Sequence, residues 1–219
     1  MRVVLAFFCL MALPLSAAAS PWPRAQGGWF VASTIGLERA GPGRQRFGEI
    51  YAEYGATGQL TFATQLRHSP GGWRGDLLAR WHPGARENAP PFGLSMGFRL
   101  RPGGSERALL LYGAHLGHSL DTPLGNVWTR LDVQMQAGSA RPASPVELSL
   151  SGQMGLRDTR GFLGFVTATG KRRHGTTTLE LSPAIGFEIA PARTVVMSLS
   201  ASPSTPRMRS ARLTLWSQF

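Results

Sequence analysis

Apolar and polar residues alternate along most of this chain, and a period of two marks strands with one apolar and one polar face. The pattern is clear from Val146 to Arg157. There Val146, Leu148, Leu150, Met154 and Leu156 hold one parity, against Glu147, Ser149, Ser151, Gln153 and Arg157. From Thr177 to Ile189, Leu179, Leu181, Ile185, Phe187 and Ile189 stand against Glu180, Ser182, Ala184 and Glu188. The closing stretch, Ala211 to Phe219, puts Ala211, Leu213, Leu215 and Phe219 on one side, with Ser217 its only polar member.

Gly, Pro, Ser and Asp punctuate the chain into about twelve such segments, roughly ten to fourteen allowing for boundary error. The others run Trp29 to Arg39, Phe47 to Ala56, Gln59 to Arg67, Trp73 to His82, Phe92 to Arg101, Arg107 to Leu120, Asn126 to Ala137, Phe162 to Gly170 and Thr194 to Ala201. Their length suits tilted strands of about 9–11 residues crossing a bilayer. Links Thr57-Gly58, Thr122 to Gly125, Asp158 to Gly161 and Ala190 to Arg193 are tight; Pro83 to Pro91 is the exception. Longer or more basic links, at Gly41 to Arg46, Pro102 to Glu106, Gly138 to Pro145, Gly170 to Gly175 and Ser202 to Ser210, alternate with them. Short inner turns and longer outer loops are the pattern of an all-β, antiparallel up-and-down transmembrane barrel. The competing fold is a soluble β-sandwich or lipocalin-like binding barrel, in which the apolar parity fills a core.

In the membrane reading the polar parity lines the lumen. It carries Glu53, Arg67, Arg74, Asp76, Arg80, Arg99, Arg130, Asp132, Glu147, Arg157, Glu180, Glu188 and Arg212. An Arg or Lys on the lipid face near the midplane costs about 2–4 kcal/mol. Turned outward, these charges would together exceed a net stability of about 5–15 kcal/mol. Their mixed signs favour pairing across the interior over a selective pore, which would show a ring of one sign.

Composition narrows the setting. Met1-Arg2, the apolar run to Leu15 and Ala17-Ala18-Ala19 read as a signal peptide over residues 1–19, with residues 20–219 forming one barrel domain. The chain's one cysteine, Cys9, lies in that leader, so neither disulfides nor thiolate chemistry is expected beyond it. The formal charge of +11 comes from dispersed arginines, and nucleic acid is not an expected partner of an exported chain. Basic residues at the outer links include Arg44, Arg46, Arg107, Arg141, Arg207 and Arg209. With Lys171, Arg172 and Arg173 they form a candidate surface for lipopolysaccharide phosphates. Trp29, Tyr51, Tyr54, Trp73, Trp81, Tyr112, Trp128 and Trp216 suit interfacial girdles, although parity turns Trp128 and Trp216 inward.

Candidate chemistry is sparse. His115, His118, Ser119 and Asp121 lie close in sequence, but adjacent His118 and Ser119 point to opposite faces. His115 and Ser119 share a face about 13 Å apart. A triad would need a partner from another strand. The five histidines lack metal-ligand spacing and there is no nucleotide motif, so no catalysis, metal or cofactor is expected.

Three groups of residues carry a resemblance: Trp22-Pro23-Arg24 with Gly27-Gly28-Trp29-Phe30; Tyr51-Ala52-Glu53-Tyr54-Gly55 with Leu60-Thr61; and Leu213-Thr214-Leu215-Trp216-Ser217-Gln218-Phe219. The chain resembles small outer-membrane barrel proteins of the alphaproteobacterial envelope. It is also similar to porin-like barrels of about twelve strands, including some associated with aromatic-compound uptake. The resemblance implies outer-membrane residence and passive transport or a structural role. It also implies lipid and lipopolysaccharide contacts, and assembly by the barrel machinery through Leu213, Leu215 and Phe219. A lipid- or lipopolysaccharide-modifying enzyme is the alternative.

Overall fold

The computed structural model describes residues 22–40, 43–84, 91–102, 108–138, 146–203 and 205–219. The expected leader at residues 1–19, Arg107 and Arg141 lie outside them. Twelve strands follow one another: β1 (Trp29–Ala40), β2 (Gly43–Gly55), β3 (Leu60–Ser69), β4 (Gly72–Trp81), β5 (Phe92–Leu100), β6 (Ala108–Thr122), β7 (Gly125–Gly138), β8 (Glu147–Arg157), β9 (Phe162–Arg173), β10 (Thr176–Ala190), β11 (Arg193–Ser202) and β12 (Thr205–Gln218). Each pairs antiparallel with its neighbours in sequence, and β12 pairs with β1 to close the barrel. The closing register runs from Phe30↔Gln218 to Glu38↔Ser210. Beyond it, Trp29 and Phe219 exchange two backbone bonds: each N–H donates to the other's carbonyl, at 3.0 and 3.1 Å. Strands roughly 4.8 Å apart and tilted about 35–45° close twelve-fold on a backbone cylinder about 24 Å across.

The direction of the apolar parity decides between the two folds expected from sequence. Ile35 is 66% exposed, Met154 64% and Leu77 58%, all on the outer face, while Glu53 is 1% exposed on the inner one. A soluble barrel requires the reverse, and water does not tolerate a contiguous apolar surface of this size. The wall therefore faces lipid, and the soluble binding-barrel alternative fails. An aromatic belt rings the outer face at the end where the chain enters and leaves, formed by Trp29, Tyr54, Trp81, Phe92, Phe162 and Phe187. Tyr51, expected in that belt, instead points inward beside Glu53.

At three of the five links expected to be long the difference is much reduced, while the links Pro102 to Glu106 and Gly138 to Pro145 lie mostly outside the described residues. Residues read as loops at Gly41 to Arg46, Gly170 to Gly175 and Ser202 to Ser210 are largely strand in the structure. At the far end, β9 and β10 run on to His174-Gly175, whose φ values of 50° and 78° give the left-handed pair of a tight hairpin turn. Thr176, Thr177 and Thr178 carry the ladder there, pairing with Arg173, Arg172 and Lys171. The alternation fades because both faces of this extension meet water, while β-branched threonines still favour a strand. Lys171, Arg172 and Arg173 thus stand on β9 rather than in a loop.

Candidate functional site in the barrel lumen

Cross-strand partners share a face, so the registers fix which side chains line the lumen. Glu53, Arg67, Arg74, Asp76, Arg80, Arg99, Arg130, Asp132, Glu147, Arg157, Glu180, Glu188 and Arg212 all occupy the inner parity. They fall into two halves along the barrel axis: a near half beside the ends of the chain, and a far half.

In the near half the charges around Glu53 and Asp132 are matched and packed. Glu53 accepts from Arg80 Nη1 at 2.8 Å, from Arg24 Nε at 2.5 Å and from the Tyr51 hydroxyl. Arg24 reaches it from the entering segment, which turns against the inner wall: Gly27 N–H donates to the Gly55 carbonyl at 2.8 Å and Gly55 N–H to that of Gly28 at 3.0 Å. Opposite lies an apolar arc in which Leu163, Ala184 and Val196 pack with Trp128, Phe165 and Trp216. Phe165 and Trp216 stack at 6.0 Å, and Phe30 meets Trp216 edge-on at 6.1 Å. Arg157 Nη2 donates to Thr194 Oγ1, from β8 to β11, at 3.2 Å. His82, just past β4, is buried here; burial, then the nearby Arg80 charge, push its ring down to about 4.

β5, β6 and β7 cross the same half. Ser95 Oγ lies 2.9 Å from His115 Nε2, and His115 Nδ1 lies 2.7 Å from Asp132 Oδ1. Arg130 pairs with the other Asp132 oxygen. Ser119, the serine that sequence proximity offered to His115, instead donates to Asn126 Oδ1 at 3.2 Å. Ser95 carries no charge and no motif. Its one sequence signal is its place on the inner parity of β5, Gly93-Ser95-Gly97-Arg99 against Leu94-Met96-Phe98-Leu100.

The far half is richer in cations than in acids able to match them. Arg67 pairs with Glu38 and Glu49 and lies over the Phe47 ring at 3.9 Å. Arg99 grips Asp76 with two bonds of 2.8 and 2.7 Å and donates to Gln136 Oε1 at 2.6 Å. Among the described residues, no carboxylate lies within ion-pair distance of Arg74, Arg101, Lys171, Arg173 or Arg212. Arg101, one residue past β5, is held below the usual arginine range by burial and then by the charges of Arg99 and Arg173. Lys171 and Arg173 share the inner parity, whereas Arg172 points outward. On the outer face Arg39 stands directly across from Arg44, with Arg46 two residues further along β2.

No protein-family model matches this chain, and no curated protein does. Solved structures are similar in fold. The NanC porin aligns with TM-score 0.64 at 9% identity, covering 86% of this chain and 98% of that one. The COG4313 outer membrane channel from Pseudomonas putida F1 aligns at 0.58 and 13% identity, covering 93% and 100%. The KdgM porin in complex with disordered oligogalacturonate aligns at 0.55 and 11% identity, covering 87% and 98%. The chain has the closed twelve-stranded fold of outer-membrane porins and channels.

Proposed function

We propose that this protein is a porin-like conduit of the outer membrane for small anionic solutes, with the near half facing the periplasm and the far half facing outside. The unmatched cations Arg74, Arg101, Lys171, Arg173 and Arg212 on the inner wall carry this reading. Unit charges 4 Å apart interact by about 1 kcal/mol in water and about 4 kcal/mol near a protein surface, so a narrow cationic mouth concentrates anions. Of the acids facing this field, Asp76 is engaged by Arg99, and Glu38 and Glu49 by Arg67, while Glu147, across from Arg173, and Glu180 offset only part of it. The oligogalacturonate named with the KdgM porin is an acidic oligosaccharide, which supports acidic sugars as one solute class.

The outward arginines extend the reading to the surrounding leaflet. Like charges directly opposite on a sheet repel. Arg39 and Arg44 are therefore best placed with a lipopolysaccharide phosphate between them, and Arg172 adds a further donor on the same face. Biogenesis then runs through the signal peptide and the barrel assembly machinery. Reversal potentials across a planar bilayer under a salt gradient test the conduit. Anion selectivity is the expected result; a silent bilayer or cation selectivity refutes it.

A further inference from the structure

We propose that Ser95, His115 and Asp132 form a hydrolytic site inside the lumen, acting on short-chain carboxylic esters of hydrophilic solutes. The two contacts have the lengths of a nucleophile–base–orienter chain. The pattern assigns His115 Nδ1–H as donor to Asp132, leaving Nε2 to accept from the Ser95 hydroxyl. Three neighbouring strands bring the groups together: Gly93 stands across from His115, and His115 across from Asp132. Ser95 stands across from Gly113, where a Cβ would come within 2.6 Å of Ser95 Oγ. Any larger residue at 113 would push the serine off the imidazole.

A second observation points to a reacting group at this place. Arg80 stands across from Ser95 on the other side, which puts their Cβ atoms about 4.5–5.5 Å apart. Arg80 is 3% exposed, and its two terminal nitrogens serve Glu53 and Tyr51. Its Nε has no hydrogen-bond partner among the described residues. A buried, unsatisfied cationic donor beside a serine is placed to hold a developing oxyanion. Ser95 and His115 keep 7% and 8% of their surface accessible, so the site commits to small, short-chain esters.

In the reaction Ser95 Oγ attacks the ester carbonyl carbon as its proton passes to His115 Nε2, and the carbonyl π pair moves onto oxygen beside Arg80 Nε–H. Collapse breaks the bond to the alkoxy oxygen, which takes the proton from His115 and leaves as the alcohol, with the acyl group on Ser95. Water then adds to the acyl carbon and gives its proton to His115. Ser95 departs, takes that proton back, and the carboxylic acid is released. Ester and water are consumed, with no redox change. Asp132 is a positioning residue that fixes the imidazole tautomer, and Arg130 holds Asp132.

The test uses full-length refolded barrel with a fluorophosphonate probe and p-nitrophenyl acetate. Heat-modifiable mobility confirms the fold of each variant. The expected results are a phosphonyl adduct located on Ser95 and turnover that falls at least about 100-fold in Ser95→Ala. Asp132→Asn should lower turnover about 10²–10⁴-fold and displace the neutral-pH limb of the rate profile, which a purely structural ion pair would not move. The Ser95→Cys variant should react with a small thiol-modifying reagent from solution. An adduct absent or located elsewhere, turnover retained in Ser95→Ala, or a Ser95→Cys variant inert to that reagent overturns the site. Conductance read on the same preparation separates this outcome from failure of the conduit.

Discussion

The two halves of the lumen use the same residue types for different ends. In the near half Glu53 is matched by Arg80 and Arg24, and the apolar arc through Leu163 and Val196 fills the facing wall. In the far half Arg74, Arg101 and Arg173 outnumber the acids left to them, since Asp76, Glu38 and Glu49 already have partners and Glu147 alone stands across from Arg173. Charge that is neutralised and dry holds a wall together; charge left in contact with water acts on whatever passes. Substitutions should therefore separate cleanly, with stability lost in the near half and selectivity lost in the far half.

The largest effect belongs to Glu53. Glu53→Gln leaves Arg80 and Arg24 without their shared anion in a site 1% exposed. Removing one partner of a buried pair costs about 3–5 kcal/mol. The temperature of the heat-modified mobility shift should fall sharply, while the double variant Glu53→Leu with Arg80→Met should recover part of the loss. A single variant as heat-resistant as the parent would show that the near half is not held by this pair.

A smaller, pH-dependent effect follows from His82. Its ring sits near 4 against an ordinary 6.5, so between those values the unfolded chain binds the proton and the folded one does not. This contribution is full above pH 6.5 and declines as pH falls toward 4. Urea unfolding of refolded barrel across that window should show acid-weakened stability in the parent and a flatter profile in His82→Gln. Identical slopes would locate the acid sensitivity at another group.

Much of this architecture is legible in the sequence, because a lipid-facing wall forces strict alternation. The segment read as Phe92 to Arg101 is β5 at Phe92–Leu100, and the closing stretch does pair with the first strand. What the pattern hides lies where that pressure is weak. Beyond the membrane both faces of the β9–β10 hairpin are wet, so its strands read as a loop. The partnership of Ser95 with His115 joins two strands at a register that spacing within one strand cannot reveal. Tyr51 reads as an interfacial anchor by residue type, yet its hydroxyl serves Glu53 inside the wall. Parity is the better guide there, since Tyr51 and Glu53 differ by two.

The smallest effect on stability should accompany the clearest effect on transport. Arg101→Gln combined with Lys171→Gln and Arg173→Gln alters side chains that make no ion pair among the described residues. Lys171 and Arg173 are exposed, and substitutions of such groups usually fall within about 0.5 kcal/mol each. Relief of the repulsion between Arg101 and its cationic neighbours offsets part of any loss. The heat-modified transition should stay in place while the reversal potential moves toward cation preference. That shift should shrink as salt rises and screening shortens the range of the field. If the triple variant keeps the parent's selectivity, the far half does not set it. If it loses heat resistance instead, the division between a structural half and a transport half is wrong.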